Sequence, residues 1–313
     1  MFRQARVVSR GLACVRAIAL FVMLLSATAV DSKPTSGASF GGLVAIADGE
    51  PFTIIRGANL ETATKGVTLA AGDIIETGPG AFLAIEMPGG SLLGIGPSTR
   101  LYLMQRTDTP TIVVLSGWVK VDIRSKAAPL RVLGPRMGIQ SRQAVLVLYT
   151  DQRADQVFDE TGPGTLLTRD DAATRTGRET QTNQFFVREE RSDPVTQPRP
   201  AADFVAKMPS PFRDPLPEHA SAKLNKKASP QVVREVNYSD VESWINMPRD
   251  WRWGFITRFR RRLNDPAFFA AMDTHMSQHP EWHDILHPPP PPYEDVPPGP
   301  HAPPQTSQTG PPR

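Results

Sequence analysis

Between Phe40 and Glu160 apolar residues recur at every second position in short runs, and glycine or proline cuts each run off. That spacing suits a strand, whose side chains alternate between two faces, and does not suit a helix. In Trp118-Val119-Lys120-Val121-Asp122-Ile123 the residues Val119, Val121 and Ile123 fall on one face, and Lys120 and Asp122 on the other. Leu83, Ile85 and Met87 repeat the pattern, as do Leu101 and Leu103. Ala144 to Tyr149 is apolar on both faces, which predicts a central strand covered on each side. The breaks are turn pairs: Asp48-Gly49, Gly72-Asp73, Gly78-Pro79-Gly80, Gly89-Gly90, Gly96-Pro97 and Ser116-Gly117. The expected fold is mainly β, with an all-β module over residues 40–160 built as a sandwich or a solenoid-like sheet. Glu-Thr-Gly-Pro-Gly occurs twice, at Glu76–Gly80 and Glu160–Gly164. A glycine turn feeding a strand explains both copies more simply than a pair of recognition loops does.

The order of these turns carries a likeness. Gly72-Asp73-Ile74-Ile75-Glu76-Thr77-Gly78 is followed by Leu83-Ala84-Ile85, Gly89-Gly90-Ser91-Leu92 and Gly94-Ile95-Gly96-Pro97-Ser98-Thr99, and then by Leu115-Ser116-Gly117-Trp118-Val119. In this succession residues 40–160 resemble the FecR domain family. The resemblance implies an extracytoplasmic, β-rich module that binds other proteins, as found in signalling proteins and other envelope proteins. The namesake signal transducers place a cytoplasmic anti-sigma domain ahead of a membrane-spanning helix. Here residues 1–16 precede the apolar run, so the expectation is that the fold carries over and regulation of a sigma factor does not.

Arg3, Arg6, Arg10 and Arg16 lead into the apolar run Ala17 to Leu25, and Ala27-Thr28-Ala29 supplies small residues at a signal-peptidase spacing. Residues 1–29 therefore predict a signal peptide, with an apolar stretch shorter than the ~20 residues that span a bilayer. The expected location is the periplasm, or elsewhere outside the cytoplasm of a bacterium, with tethering by an uncleaved N-terminal anchor as the alternative. Removing the four arginines takes the net charge from +3 to −1. That leaves no global field to hold nucleic acid. Cys14, the only cysteine, lies in the same segment, so disulfides and thiol chemistry are not expected in the mature chain.

Residues 161–237 read as an irregular proline-rich strap in which Phe204, Met208 and Phe212 are spaced to lie across the β-module. Gln184-Phe185-Phe186-Val187 reads as one last strand. Residues 238–287 predict a small helical module that docks on the sheet, with Ser239, Asp250 and Asp265-Pro266 as helix starts and Pro280 opening the last short helix. Residues 288–313 contain twelve prolines and predict a disordered or polyproline tail.

Catalytic templates are missing. No Gly-x-Ser-x-Gly elbow, His-Glu-x-x-His helix or phosphate loop occurs, and the β-module holds no histidine. The expectation is a non-catalytic envelope protein without a resident cofactor, whose module binds another envelope protein. His275, His279, His283 and His287 recur every four residues, a spacing that sets imidazoles on one helix face and suits zinc or copper. Pro280 interrupts that helix, leaving His279, His283 and His287 as the candidate ligands, with His301 as a distant fourth. The alternative is a run of exposed polar residues between Met276, Trp282 and Ile285. Arg258, Arg260, Arg261 and Arg262, near Trp251, Trp253 and Phe255, form a candidate strip for an anionic membrane surface or a cell-wall polymer such as peptidoglycan. Read as a solvated face, they would pair with Glu242, Asp250 or Asp265.

Overall fold

The chain follows the glycine punctuation from strand to strand. The structure, a computed structural model, describes residues 40–290 apart from 50, 105–108, 127–128, 171–173, 191 and 225–226. The leader at 1–29, His301 and the tail from 291 lie outside the described residues. The strands are β1 (Gly41–Asp48), β2 (Phe52–Arg56), β3 (Asn59–Ala63), β4 (Thr68–Ala70), β5 (Ile74–Glu76), β6 (Phe82–Glu86), β7 (Leu92–Ile95), β8 (Arg100–Met104), β9 (Thr111–Arg124), β10 (Leu130–Leu133), β11 (Met137–Ser141), β12 (Gln143–Thr150) and β13 (Ala154–Thr161). Beyond Glu160 come β14 (Gly164–Arg169), β15 (Thr174–Thr180), β16 (Gln184–Glu189), β17 (Val195–Gln197) and β18 (Gln231–Glu235). The helices are α1 (Ala202–Lys207), α2 (Tyr238–Ile245), α3 (Arg249–Arg252), α4 (Phe255–Phe259), α5 (Pro266–Thr274) and α6 (His283–Leu286).

The architecture is a sandwich. One sheet runs β4-β1-β6-β7-β9-β12-β13-β16-β17, antiparallel throughout. The other runs β18-β3-β2-β5-β8-β9-β10-β11-β14-β15, antiparallel except for β9 with β10. β9 belongs to both: Thr111–Ser116 pairs with β8, and Gly117–Arg124 pairs with β12. The strand changes sheets at Gly117, whose φ is +94°. A Cβ there would lie 2.4 Å from Thr99 Oγ1, so only glycine fits the corner. The repeated Glu-Thr-Gly-Pro-Gly does the same mechanical work twice. The first copy carries the chain from β5 to β6, and the second from β13 to β14, each crossing from one sheet to the other.

Period two sorts the side chains between layers. Val44, Leu83, Val121 and Leu146 of the first sheet meet Ile54, Leu101, Ile112 and Val132 of the second, all buried. Burying one such side chain contributes about 1.5–3 kcal/mol. Each sheet is also covered on its outer face. Ile55, Ile74, Val113 and Leu133 of the second sheet lie under Trp244, Trp251, Phe255 and Phe259 of the helices. Trp118, Val147 and Phe185 of the first sheet lie under Phe204, Met208 and Phe212. Gly94 and Gly96 leave room for that strap, since a Cβ on Gly94 would meet Leu216 at 2.8 Å and Phe212 at 3.0 Å.

The structure differs from the expectations at four places. The segment 161–237 is not irregular throughout: β14 to β17 extend the sandwich and β18 adds to its other sheet. Their alternation is hidden in the sequence because Arg169, Thr180 and Arg188 occupy buried positions, while Arg175 and Arg178 are exposed. Lys120 keeps to the face opposite Val119 and Val121, yet it is 2% exposed because the strap covers it. The cap of α2 is Asn237, not Ser239: the Asp240 carboxylate accepts from the Asn237 amide at 2.6 Å. Pro248 and not Asp250 stands at the N-cap of α3, and Asp250, inside the helix, binds Arg169 at 2.9 and 3.0 Å. At Asp265 the expected cap is present, with the carboxylate accepting from the amides of Ala267 and Phe268. No helix among the described residues is long and apolar enough to cross a membrane.

β13 turns Asp155, Val157 and Asp159 into the sandwich. Asp155 is satisfied there, accepting from Thr150 Oγ1 at 2.6 Å and from the amides of Arg136 and Met137. Asp159 accepts from Thr180 Oγ1 at 2.5 Å, while its Oδ1 is buried with no hydrogen-bond partner. Burial pushes its pKa up to about 6. Unfolded, the group titrates near 3.9. The folded chain therefore holds this proton more tightly, and stability falls as pH rises from about 4 to about 6. The gap corresponds to about 3 kcal/mol of cost at neutral pH. Asp159→Asn is expected to raise the melting temperature at pH 7.5 and to leave it nearly unchanged at pH 4. An equal gain at both would show that the charge is not the cause.

Candidate functional site

An unpaired strand at the end of a sheet offers a row of N–H and C=O groups to any extended chain. Four strands sit at such ends among the described residues: β4, β17, β15 and β18. Three are guarded. Beside β4, Val67 bridges to Ala228, whose amide donates to Gly66 O at 2.9 Å. β17 has three residues between Pro194 and Pro198, which supply no N–H. β15 sets Arg175, Arg178 and Glu179 on its exposed run.

β18 carries valines instead. Val232 is 62% and Val233 58% exposed. Pro230 imposes an extended approach, two β-branched residues follow, and the buried Val236 ends the run ahead of α2. One edge pairs with β3, placing Val232 opposite Glu61 and Arg234 opposite Leu60, so Val233 is the extra residue of a bulge. No strand among the described residues pairs with the other edge. The charges of β18 are already committed: Arg234 reaches Asp240 at 2.9 Å, and Glu235 receives Arg261 at 3.0 Å as well as Arg262. Behind Val232, Glu61 is 6% exposed, its Oε2 lacks a hydrogen-bond partner, and Arg56 stands 4.0 Å away. Burial raises its pKa. The edge thus combines open backbone, two valines and a buried acid.

The residues singled out in the sequence are placed differently. His283 and His287 come together, with ring centroids 5.7 Å apart, and each meets a carboxylate: His283 that of Asp284 and His287 that of Asp273. His279 is buried beside Tyr238 rather than on that surface. Neither of its ring nitrogens has a hydrogen-bond partner, and burial pushes its pKa down. No group of three or more His, Cys, Asp or Glu able to hold a metal occurs among the described residues. The arginine strip is split. Arg258 and Arg262 turn inward, Arg258 to the carbonyls of Ile55, Gly57 and Gly72 and Arg262 to that of Val236. Arg260 and Arg261 stay outside. The β-module acids have structural partners: Asp73 takes Arg56, Glu76 takes Arg100, Glu86 takes Ser221 and Asp122 takes Arg124.

No family model matches the chain, and no curated protein matches it. Two crystal structures of a candidate anti-sigma factor from Parabacteroides distasonis, at 1.65 and 2.50 Å resolution, align with it at 13% identity and a TM-score of 0.36. The alignments cover 42% of this chain and 63% and 62% of theirs, so this chain spans less than two thirds of their length.

Proposed function

We propose that the chain is a non-catalytic, FecR-like protein-binding module that acts outside the cytoplasm and captures an extended segment of another envelope protein along β18. The observation that carries this reading is the bare edge of β18 with Val232 and Val233 exposed beside it. Strand addition draws affinity from main-chain hydrogen bonds and selectivity from alternate side chains. The motif order from Gly72 to Val119 supports the family assignment, and the arginine-led apolar run ahead of residue 30 supports export. Glu61 favours a partner that brings a basic side chain near Val232.

The test is a photo-crosslinker at Gln231 in living cells, with and without the double change Val232→Lys and Val233→Glu. One dominant adduct is expected, at least about tenfold weaker in the double variant, as the loss of ~1.4 kcal/mol would produce. Exposed changes of this kind alter stability by only about 0.5 kcal/mol, so melting should barely move. An adduct indifferent to the two valines would place the binding surface elsewhere.

A further inference from the structure

Between Phe204 and Leu216 the strap touches the sandwich at every fourth residue. Phe204, Met208, Phe212 and Leu216 are buried, and every residue between them is exposed apart from the half-buried Pro209. The segment keeps its backbone to itself: Met208 N–H donates to Phe204 O, Phe212 N–H to Pro209 O and Arg213 N–H to Ser210 O. Pro209, Pro211, Pro215 and Pro217 supply no N–H at all. Among the described residues, no backbone hydrogen bond joins residues 202–217 to a strand.

The surface beneath it is a channel. Trp118 packs on Tyr149 with ring centres 4.4 Å apart, and the Phe204 ring lies 5.1 Å from Trp118 and 4.8 Å from Phe185. Phe212 meets Phe82 edge-on at 6.1 Å. Gly96 continues the slot opened by Gly94, since a Cβ on Gly96 would come within 3.3 Å of Pro209. At the centre the buried Lys120 ammonium donates to the main-chain carbonyls of Phe212 and Asp214. Carbonyls are common to every sequence, so this grip does not read side chains. A cover whose only task was to shield the sheet would be held at least as well by an apolar residue at that point.

Spaced apolar anchors, proline between them and an aromatic floor are the way a groove receives a peptide from another chain. We infer that the channel over Trp118, Gly94 and Gly96 is a binding site for a proline-broken segment of a partner protein with large apolar residues at every fourth position, and that residues 204–216 occupy it in cis and keep it closed. The strap itself sets the partner's chemistry. Aromatic or aliphatic side chains fill the positions of Phe204, Met208, Phe212 and Leu216, and the positions between them face water and are free to vary. The channel lies on the first sheet and β18 on the second, so this site is independent of the β18 edge and stands or falls separately from it.

The test removes the anchors from the strap and returns its sequence as a peptide. The full-length chain carries Phe204→Asp with Phe212→Asp, which unseats the strap and leaves the channel intact, and the probe is a fluorescent peptide of residues 203–217. The peptide is expected to bind this variant at least about tenfold more tightly than the parent, whose own strap competes at high effective concentration. A peptide in which each phenylalanine is exchanged with the residue that follows it should bind the variant about tenfold or more weakly, and so should the original peptide once Gly94→Val is added. Protection of β7 and β12 in hydrogen exchange certifies the fold. Where the double variant loses that protection, Phe212→Ala takes its place under the same criteria. No binding to a folded, opened variant at millimolar peptide would overturn the proposal. Equal binding to parent and variant, or indifference to Gly94→Val, would overturn it as well, because the peptide would then sit on another surface.

Discussion

Lys120→Met frees the strap from the first sheet while the sandwich stays folded. The Lys120 ammonium is buried and bonds Glu160 at 3.0 Å, Phe212 O at 2.8 Å and Asp214 O at 3.1 Å. It therefore ties three pieces of chain that are far apart in sequence: the middle of β9, the end of β13 and the strap. Methionine fills similar space and supplies no donor, so two strap carbonyls and one carboxylate lose their partner together. Breaking a buried charge pair costs about 3–5 kcal/mol, because the surviving group is left without compensation. The strap has few ways to absorb that loss. Its remaining hold is Phe204, Met208, Phe212 and Leu216 on the sheet, with Ser221 bonded to Glu86 and Glu218 paired with Arg124 at 2.6 Å. Local opening of the segment is thus the cheaper response. Trypsin should then cut after Lys207, Arg213 or Lys223, all exposed at the surface of the strap, at least about tenfold faster than in the parent chain. Glu160→Gln separates the two halves of the clamp: it keeps both carbonyl bonds and should open the strap far less. Equal cleavage of parent and Lys120→Met would show that the aromatic anchors hold the strap alone.

The same lysine shows how far the sequence could be read. Alternation fixed which face of β9 it occupies, and that face is the one observed. What covers that face came from a segment more than eighty residues away, and no local pattern announces a partner at such separation. Phe204, Met208 and Phe212 pointed to a strap because large apolar residues in a proline-rich stretch need a surface to cover. β18 escaped notice for the opposite reason. Gln231-Val232-Val233-Arg234-Glu235 is short, lacks alternation and sits between a proline and a helix, so only its two adjacent β-branched residues marked it as a strand. The histidine spacing was genuine, yet period four in an amphipathic segment also arises when one residue of the series turns into the core, as His279 does. Among the arginines, charge alone gave no direction. The apolar period would have supplied it, since Phe255 and Phe259 are buried and Arg258 and Arg262 each lie three residues on from one of them, yet all four arginines were read as one outward strip.

Arg258 is where that rule matters most, and Arg258→Ala is expected to loosen the helical layer from the second sheet. Its guanidinium forms no ion pair among the described residues, although Asp73 lies near enough to favour its charge. It donates from Nε to Gly57 O at 2.6 Å, from Nη1 to Gly72 O at 2.6 Å and from Nη2 to Ile55 O, and it lies 5.1 Å from the Phe259 ring centre. Burial pushes its pKa down to about 10, so it is still cationic at neutral pH and is held by carbonyl dipoles. The tip of the β2–β3 hairpin and the Gly72-Asp73 turn are joined to α4 through this one side chain. Alanine removes three charge-assisted hydrogen bonds, the one to Gly57 O exposed and the other two part-buried, each worth about 1.5–3 kcal/mol at most, and opens a cavity beside Phe255 and Phe259. A loss of about 3 kcal/mol or more follows, concentrated on the layer and not on the sandwich. Hydrogen exchange should report it as faster exchange across α2, α4 and α5 with β7 and β12 unchanged. Arg258→Lys should fall between, because one ammonium is too compact to span all three carbonyls. Uniform acceleration of every amide would mean that layer and sandwich unfold as one unit, and the separate hold assigned to Arg258 would be wrong.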